Sequence, residues 1–194
     1  MFCMNLCGME LAADFTAPAL LALLSLRMTQ REFLQMCAAC LLHETAHLLT
    51  VLLLGQRPSQ LRLSAAGMRM CLKHDALIPM PAMTAVLLSG IAANLIAAGC
   101  LSVRGDAAGA GVNLSLALFN LLPFRSTDGG TLLYAVLEQK FIEHAPAALR
   151  SCMRMLCTGT ALVLSAAMLL LRCRNLSLWS MLLFVTAAEW LDLP

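Results

Sequence analysis

The chain has 194 residues, of which 60% are apolar and 12% charged, with a formal net charge of +2. About half of an ordinary globular chain is apolar and roughly a quarter is charged, so there is too little polar surface here to coat a water-soluble globule, and the bilayer is the expected solvent. The small net charge, with no basic run and no interleaved aromatic stripe, excludes a nucleic-acid partner. The nine cysteines lie mostly inside apolar stretches and suit small hydrophobes better than a disulfide framework.

In chain order, the opening MFCMNLCGMELAADF lacks a basic start, so no cleaved leader is expected. Measured against the roughly 20 residues that cross about 30 Å of hydrocarbon, up to six spans follow. The first, near Asp14 to Leu26, is short and carries a proline, and the second, Phe33 to Leu54, holds the polar cluster HETAH near its centre. Next, Leu61, Leu63, Met68, Met70 and Leu72 alternate with Arg62, Arg69 and Lys73 around a Ser-Ala-Ala-Gly turn, which is a hairpin pattern. An open hairpin cannot turn unpaired edges to lipid, so it belongs at the interface or along a protein cavity. The third span runs from Pro81 to Val103 and the fourth from Ala107 to Pro123, ending in the polar RSTDGG. A mixed segment, Thr131 to Arg150, reads as a connecting, partly helical surface piece. Two last spans, Met153 to Leu171 and Leu176 to Trp190, flank the basic turn Arg172 to Asn175.

The expected class is an all-α polytopic membrane protein of about six transmembrane helices with a small interfacial β-hairpin between spans two and three. With a cytoplasmic N-terminus and all six spans crossing, Arg57, Arg62, Arg69, Lys73, Lys140, Arg150 and Arg154 fall inside. Arg27, Arg31, Arg104, Arg172 and Arg174 fall outside, a slight bias toward a cytoplasmic hairpin.

On a helix, residues i and i+4 share a face, so His43 and His47 can turn two imidazole nitrogens toward one metal ion, with Glu44 beside the first ligand. This is the zincin arrangement, in which Zn²⁺ lowers the pKa of a water to about 7 and the glutamate takes its proton. The pattern arises by chance in roughly 1 of 400 chains of this composition. A bland alternative is a polar clamp between helices, but each ionisable group in a span costs roughly 3 kcal/mol, and three in five residues make an expensive clamp.

A catalytic site needs a third protein ligand and an open position. Asp14, Asp106, Asp128 and Glu189 are the acids within or near the spans. Asp128 stands out in FNLLPFRSTDGG, where Pro123 breaks the fourth span and Gly129 and Gly130 permit close approach. Irregular backbone at depth belongs against protein or a water-filled cavity, which suits an acidic ligand. An interfacial turn with a solvated aspartate is the alternative.

Together, HETAH at 43–47 and NLLPFRSTDG at 120–129 resemble the paired motifs of the site-2 protease family of intramembrane zinc metalloproteases, over a core of about 33–135. The resemblance implies one zinc ion held by His43, His47 and Asp128, with Glu44 as catalytic base. It also sets SGIAANL, with Gly90 and Asn94, beside a Gly and an Asn common in the family after the hairpin. Asn120 is expected to orient the substrate backbone or stabilise the oxyanion, or else to cap the broken helix; Asn94 is expected to hydrogen-bond across helices near the site or to assist at the substrate.

The two further spans, at about 153–190, match in number and hydrophobicity only, so residues 1–194 are expected to form a single membrane-embedded metalloprotease domain. Among branches the chain looks most like the sporulation-type enzymes that release a membrane-tethered pro-sigma factor. It departs from family patterns in having no PDZ-like insertion, no nucleotide-sensing domain after the sixth span, and SAAG in place of a Pro-x-Gly-Gly hairpin.

The implied partners are a membrane-tethered protein substrate such as a pro-sigma or anti-sigma factor, the lipid bilayer, and a regulatory membrane partner. The implied location is an integral, multi-pass membrane protein whose active site opens toward the cytoplasm. The alternative is a non-enzymatic metal-binding carrier or an inactive relative that binds partners. Of the remaining polar residues, Cys37 and Cys40 with His43 suit helix packing better than a thiolate site. His74 and His144 read as solvated, and the methionines as apolar filler.

Overall fold

The structure, a computed structural model, describes residues 2–6, 9–56, 58–64, 67–72, 79–141 and 146–172, with 179, 182–183, 185–187 and 190. They divide into two units, Met1–Leu118 and Phe119–Pro194.

In the first unit the chain forms β1 (Phe2–Leu6), β2 (Met9–Ala13), α1 (Thr16–Ser25), α2 (Gln30–Leu53), β3 (Pro58–Ser64), β4 (Gly67–Leu72), α3 (Met80–Val103) and α4 (Ala107–Asn120). The expected hairpin is present: β3 and β4 pair antiparallel with Leu61 opposite Met70 and Leu63 opposite Met68. Ser64 faces Gly67 across a two-residue connection. The hairpin is half of a four-stranded sheet, which is a correction to the expectation of a lone hairpin. An N-terminal hairpin, β1–β2, joins it through parallel pairing of β2 with β3, Glu10 opposite Gln60 and Ala13 opposite Leu63. Gln60 Nε2 donates to Glu10 Oε2 at 3.1 Å along this seam.

Helix α2 begins at a capping box. Thr29 Oγ1 accepts from the Glu32 amide at 3.3 Å, while Glu32 Oε2 accepts from the Thr29 amide at 2.9 Å, so two orphan donors of the first turn are satisfied. Its buried face is the i, i+4 row Ala39, His43, His47, Val51. Pro79 and Pro81 open α3, where the missing amides would have had no helical partner; its buried row is Gly90, Ile91, Asn94 and Ala98. Asp106 caps α4, its Oδ1 accepting from the Gly109 amide at 3.2 Å. The same carboxylate accepts from Gln35 Nε2 at 3.2 Å and pairs with Arg31 at 3.3 Å, tying the start of α4 to the first turns of α2.

The second unit holds α5 (Asp128–Phe141) and α6 (Pro146–Leu170). Phe124, Cys157, Ala161 and Val185 form its apolar core. Helix α6 starts earlier than the span expected from Met153. Arg150 suggested a surface connection, yet it lies on one helix with the buried row Leu149, Met153, Cys157, Ala161.

Three described helices are long and apolar enough to cross a membrane: Gln30–Leu53, Met80–Val103 and Ala147–Leu170. Of the six spans expected, the described residues therefore show three at membrane-crossing length. Ten residues give α1 a length of about 15 Å, half of the hydrocarbon thickness. Helix α4, apolar but with 14 residues, reaches about 21 Å. The expected span Leu176 to Trp190 falls largely outside the described residues.

Candidate metal centre

The two histidines of HETAH stand one turn apart on the buried face of α2, 5% and 8% exposed. Their Nε2 atoms are 3.1 Å apart, with the rings edge to face and their centroids 4.6 Å apart. His47 Nδ1 lies 2.7 Å from the Val86 carbonyl on α3. A carbonyl oxygen can only accept, so Nδ1 carries the proton and the Nε2 lone pair of His47 is turned toward His43. Ser89 Oγ donates to the same carbonyl at 2.6 Å, fixing the partner that fixes the ring.

Gly90 completes the cradle. A Cβ at Gly90 would lie 2.5 Å from His47 Nε2 and 2.7 Å from His43 Cε1, so the imidazole pair rests against bare backbone of α3. Two Nε2 atoms at 3.1 Å match the edge of a coordination tetrahedron: metal–nitrogen bonds of about 2.0–2.1 Å place adjacent ligands about 3.3 Å apart.

Asp128 is the first residue of α5, where the positive end of the helix dipole favours a carboxylate. The two glycines after it have a defined use. A Cβ at Gly129 would lie 2.7 Å from the Leu121 carbonyl and 2.9 Å from the Asn120 carbonyl, and one at Gly130 would collide with the Phe124 backbone. The loop after α4 is thus laid directly on the first turn of α5. The histidine pair belongs to the first unit and Asp128 to the second. Imidazole nitrogen and carboxylate oxygen are donor types that a divalent ion of the zinc type accepts.

The other expected residues are placed as follows. Glu44 follows His43 and is half-buried. Asn94 is fully buried, its Nδ2 donating to the Ala39 carbonyl at 3.4 Å, so it links α3 to α2 one turn from both Gly90 and His43. Asn120 is the last residue of α4. Cys37 and Cys40 are free thiols outside the His43–His47–Asp128 group. His74 and His144 lie outside the described residues.

Sequence reasoning did not find Val86, Ser89 or Thr127. Val86 acts through its carbonyl and so leaves no signature. Thr127 had one, a hydroxyl residue immediately before Asp-Gly-Gly, which is an N-cap signal.

The fold is similar to that of the solved site-2 protease from Methanocaldococcus jannaschii, with a TM-score of 0.66 and 19% identity over 97% of this chain and 94% of that one. No protein-family model and no curated protein matches the chain.

Proposed function

We propose that the chain is an intramembrane zinc metalloprotease of the site-2 type, with residues 1–194 acting as one membrane-embedded catalytic domain. The observation that carries this reading is the buried His43–His47 pair on a membrane-length helix, its Nε2 atoms converging at 3.1 Å over Gly90. The likeness of the fold to a solved site-2 protease supports it.

In this reading His43, His47 and Asp128 hold one Zn²⁺. The ion, when bound, supplies Lewis acidity toward a water and a peptide carbonyl. Glu44 takes the proton of the attacking water and returns it to the amine nitrogen as the C–N bond breaks. The Val86 carbonyl and Ser89 hold the His47 ring in the tautomer that leaves Nε2 bare. Asn120 orients the substrate backbone, and Asn94 braces α2 against α3.

The substrate is a membrane-tethered protein whose transmembrane helix unwinds locally, since helical hydrogen bonds shield its carbonyls. In this reading that segment docks on the β3–β4 hairpin. Strand β3 is flanked by β2 and β4, whereas β4 pairs among the described residues with β3 alone, so β4 offers the edge for strand addition. The basic hairpin faces the cytoplasm in this reading, and pro-sigma or anti-sigma factors are the substrate class, with a membrane partner regulating access.

The test is Glu44→Gln in the full chain co-expressed with a membrane-tethered candidate substrate. Cleavage is expected to cease while zinc content stays at the wild-type level. Undiminished proteolysis by Glu44→Gln removes the enzymatic assignment.

A further inference from the structure

The loop 121–127 runs through the second unit without regular structure, and a membrane protein must satisfy such backbone internally. Four successive carbonyls are each taken by a side chain. Thr127 Oγ1 donates to Leu122 O and Phe124 O at 2.5 and 2.8 Å, Cys157 Sγ donates to Pro123 O at 2.8 Å, and Thr131 Oγ1 donates to Arg125 O at 3.0 Å. Thr127 Oγ1 also accepts from the Gly130 amide at 3.3 Å, so the hydroxyl that gathers the loop also caps α5. Thr127 is 2% exposed and Cys157 fully buried beside Phe124. A residue this enclosed contributes nothing to solvation of a turn.

We propose that Thr127, backed by Cys157 on α6, is a positioning residue: its hydroxyl locks loop 121–127 onto the start of α5 and thereby sets the Asp128 carboxylate for a divalent ion. This rests on the proposed metal-binding role of Asp128. The loop sits directly over Gly129 and Gly130, with no room for a Cβ at either, so its register against α5 and the direction of Asp128 are coupled. Without the hydroxyl, two loop carbonyls lose a donor and the first turn of α5 loses its cap. The chain then has no reason to hold that register. Cys157 acts at the opposite side of the loop, where Pro123 leaves a carbonyl that its own broken helix cannot use.

The experiment measures Zn²⁺ affinity of the purified full chain in detergent by competition with a chromophoric chelator, together with the Co²⁺ absorption spectrum and helicity. Thr127→Val keeps the side-chain shape and is expected to weaken Zn²⁺ binding about 10- to 100-fold, the usual effect of losing a partner that orients a ligand. It is also expected to alter the Co²⁺ spectrum, which loss of stability alone does not move. Thr127→Ser restores both. Asp128→Ala serves as the reference: if it binds Zn²⁺ as tightly as wild type, the metal-centre reading itself fails. If Asp128→Ala loses the ion while folded Thr127→Val binds like wild type, the positioning role alone is overturned. Should Thr127→Val not fold, Cys157→Ala decides, with weakened binding and rescue by Cys157→Ser expected, and wild-type binding overturning the proposal.

Discussion

Gly90→Ala tests the centre by adding a single carbon. The new Cβ would stand 2.5 Å from His47 Nε2, 2.7 Å from His43 Cε1 and 2.8 Å from His43 Nδ1, whereas ordinary contact begins at 3.4 Å. One imidazole therefore moves by about 0.9 Å, several times the roughly 0.2 Å tolerance of a metal–ligand bond. His47 resists, because its ring is pinned to the Val86 carbonyl at 2.7 Å. Loss of a ligand in place should exceed the effect of losing an orienting partner, so Zn²⁺ affinity is expected to fall at least about 100-fold, close to 3 kcal/mol. The fold responds differently. Overpacking costs about 1–3 kcal/mol, while replacing a mid-helix glycine by alanine returns about 1 kcal/mol, so net destabilisation stays at about 2 kcal/mol or less. Gly99 on the same helix provides the control, since a Cβ there meets nothing within 4 Å. Gly99→Ala is expected to bind Zn²⁺ like wild type and to melt slightly higher. Chelator competition and thermal unfolding of both variants in detergent check this, and wild-type Zn²⁺ affinity in folded Gly90→Ala would refute the reasoning.

Glu44→Gln is expected to lower cleavage by about 10²- to 10⁴-fold with zinc content unchanged, read by substrate immunoblot and metal analysis. At the start of α4, Asp106→Ala is expected to cost about 1–2 kcal/mol through the lost cap on Gly109 and the lost Gln35 contact. Arg31→Ala, whose side chain is 74% exposed, should cost under about 1 kcal/mol; equal effects in thermal melts would show that the ion pair, not the cap, dominates. Asn94→Leu removes a long 3.4 Å hydrogen bond along with a buried Oδ1 that has no partner among the described residues, so stability should change by no more than about 1 kcal/mol in either direction. A drop in cleavage without loss of stability would assign Asn94 to the substrate.

The shared buried face of His43 and His47 was legible because i, i+4 spacing in an apolar helix maps directly onto it, and the break before Asp128 because a proline and paired glycines mark it. The β3–β4 hairpin was legible from alternation alone. The β1–β2 hairpin was not, since residues 2–13 do not alternate in polarity, and nor was the pairing of β2 with β3, whose partners lie some 50 positions apart, which no local pattern records. The start of α6 was not legible because Arg150 looks like a surface residue, while the helix's buried row is set by packing in the second unit. Thr127 and Cys157 read as turn and filler because their roles lie in carbonyls that only the folded chain brings within reach.

The parallel seam between β2 and β3 orders the assembly of the first unit in time. Each hairpin closes over a few residues and can zip as it emerges from the ribosome, but the seam joins positions separated by α1 and α2. It closes only once those helices have brought the chain back, so the bond from Gln60 to Glu10 fastens later than the turn of either hairpin.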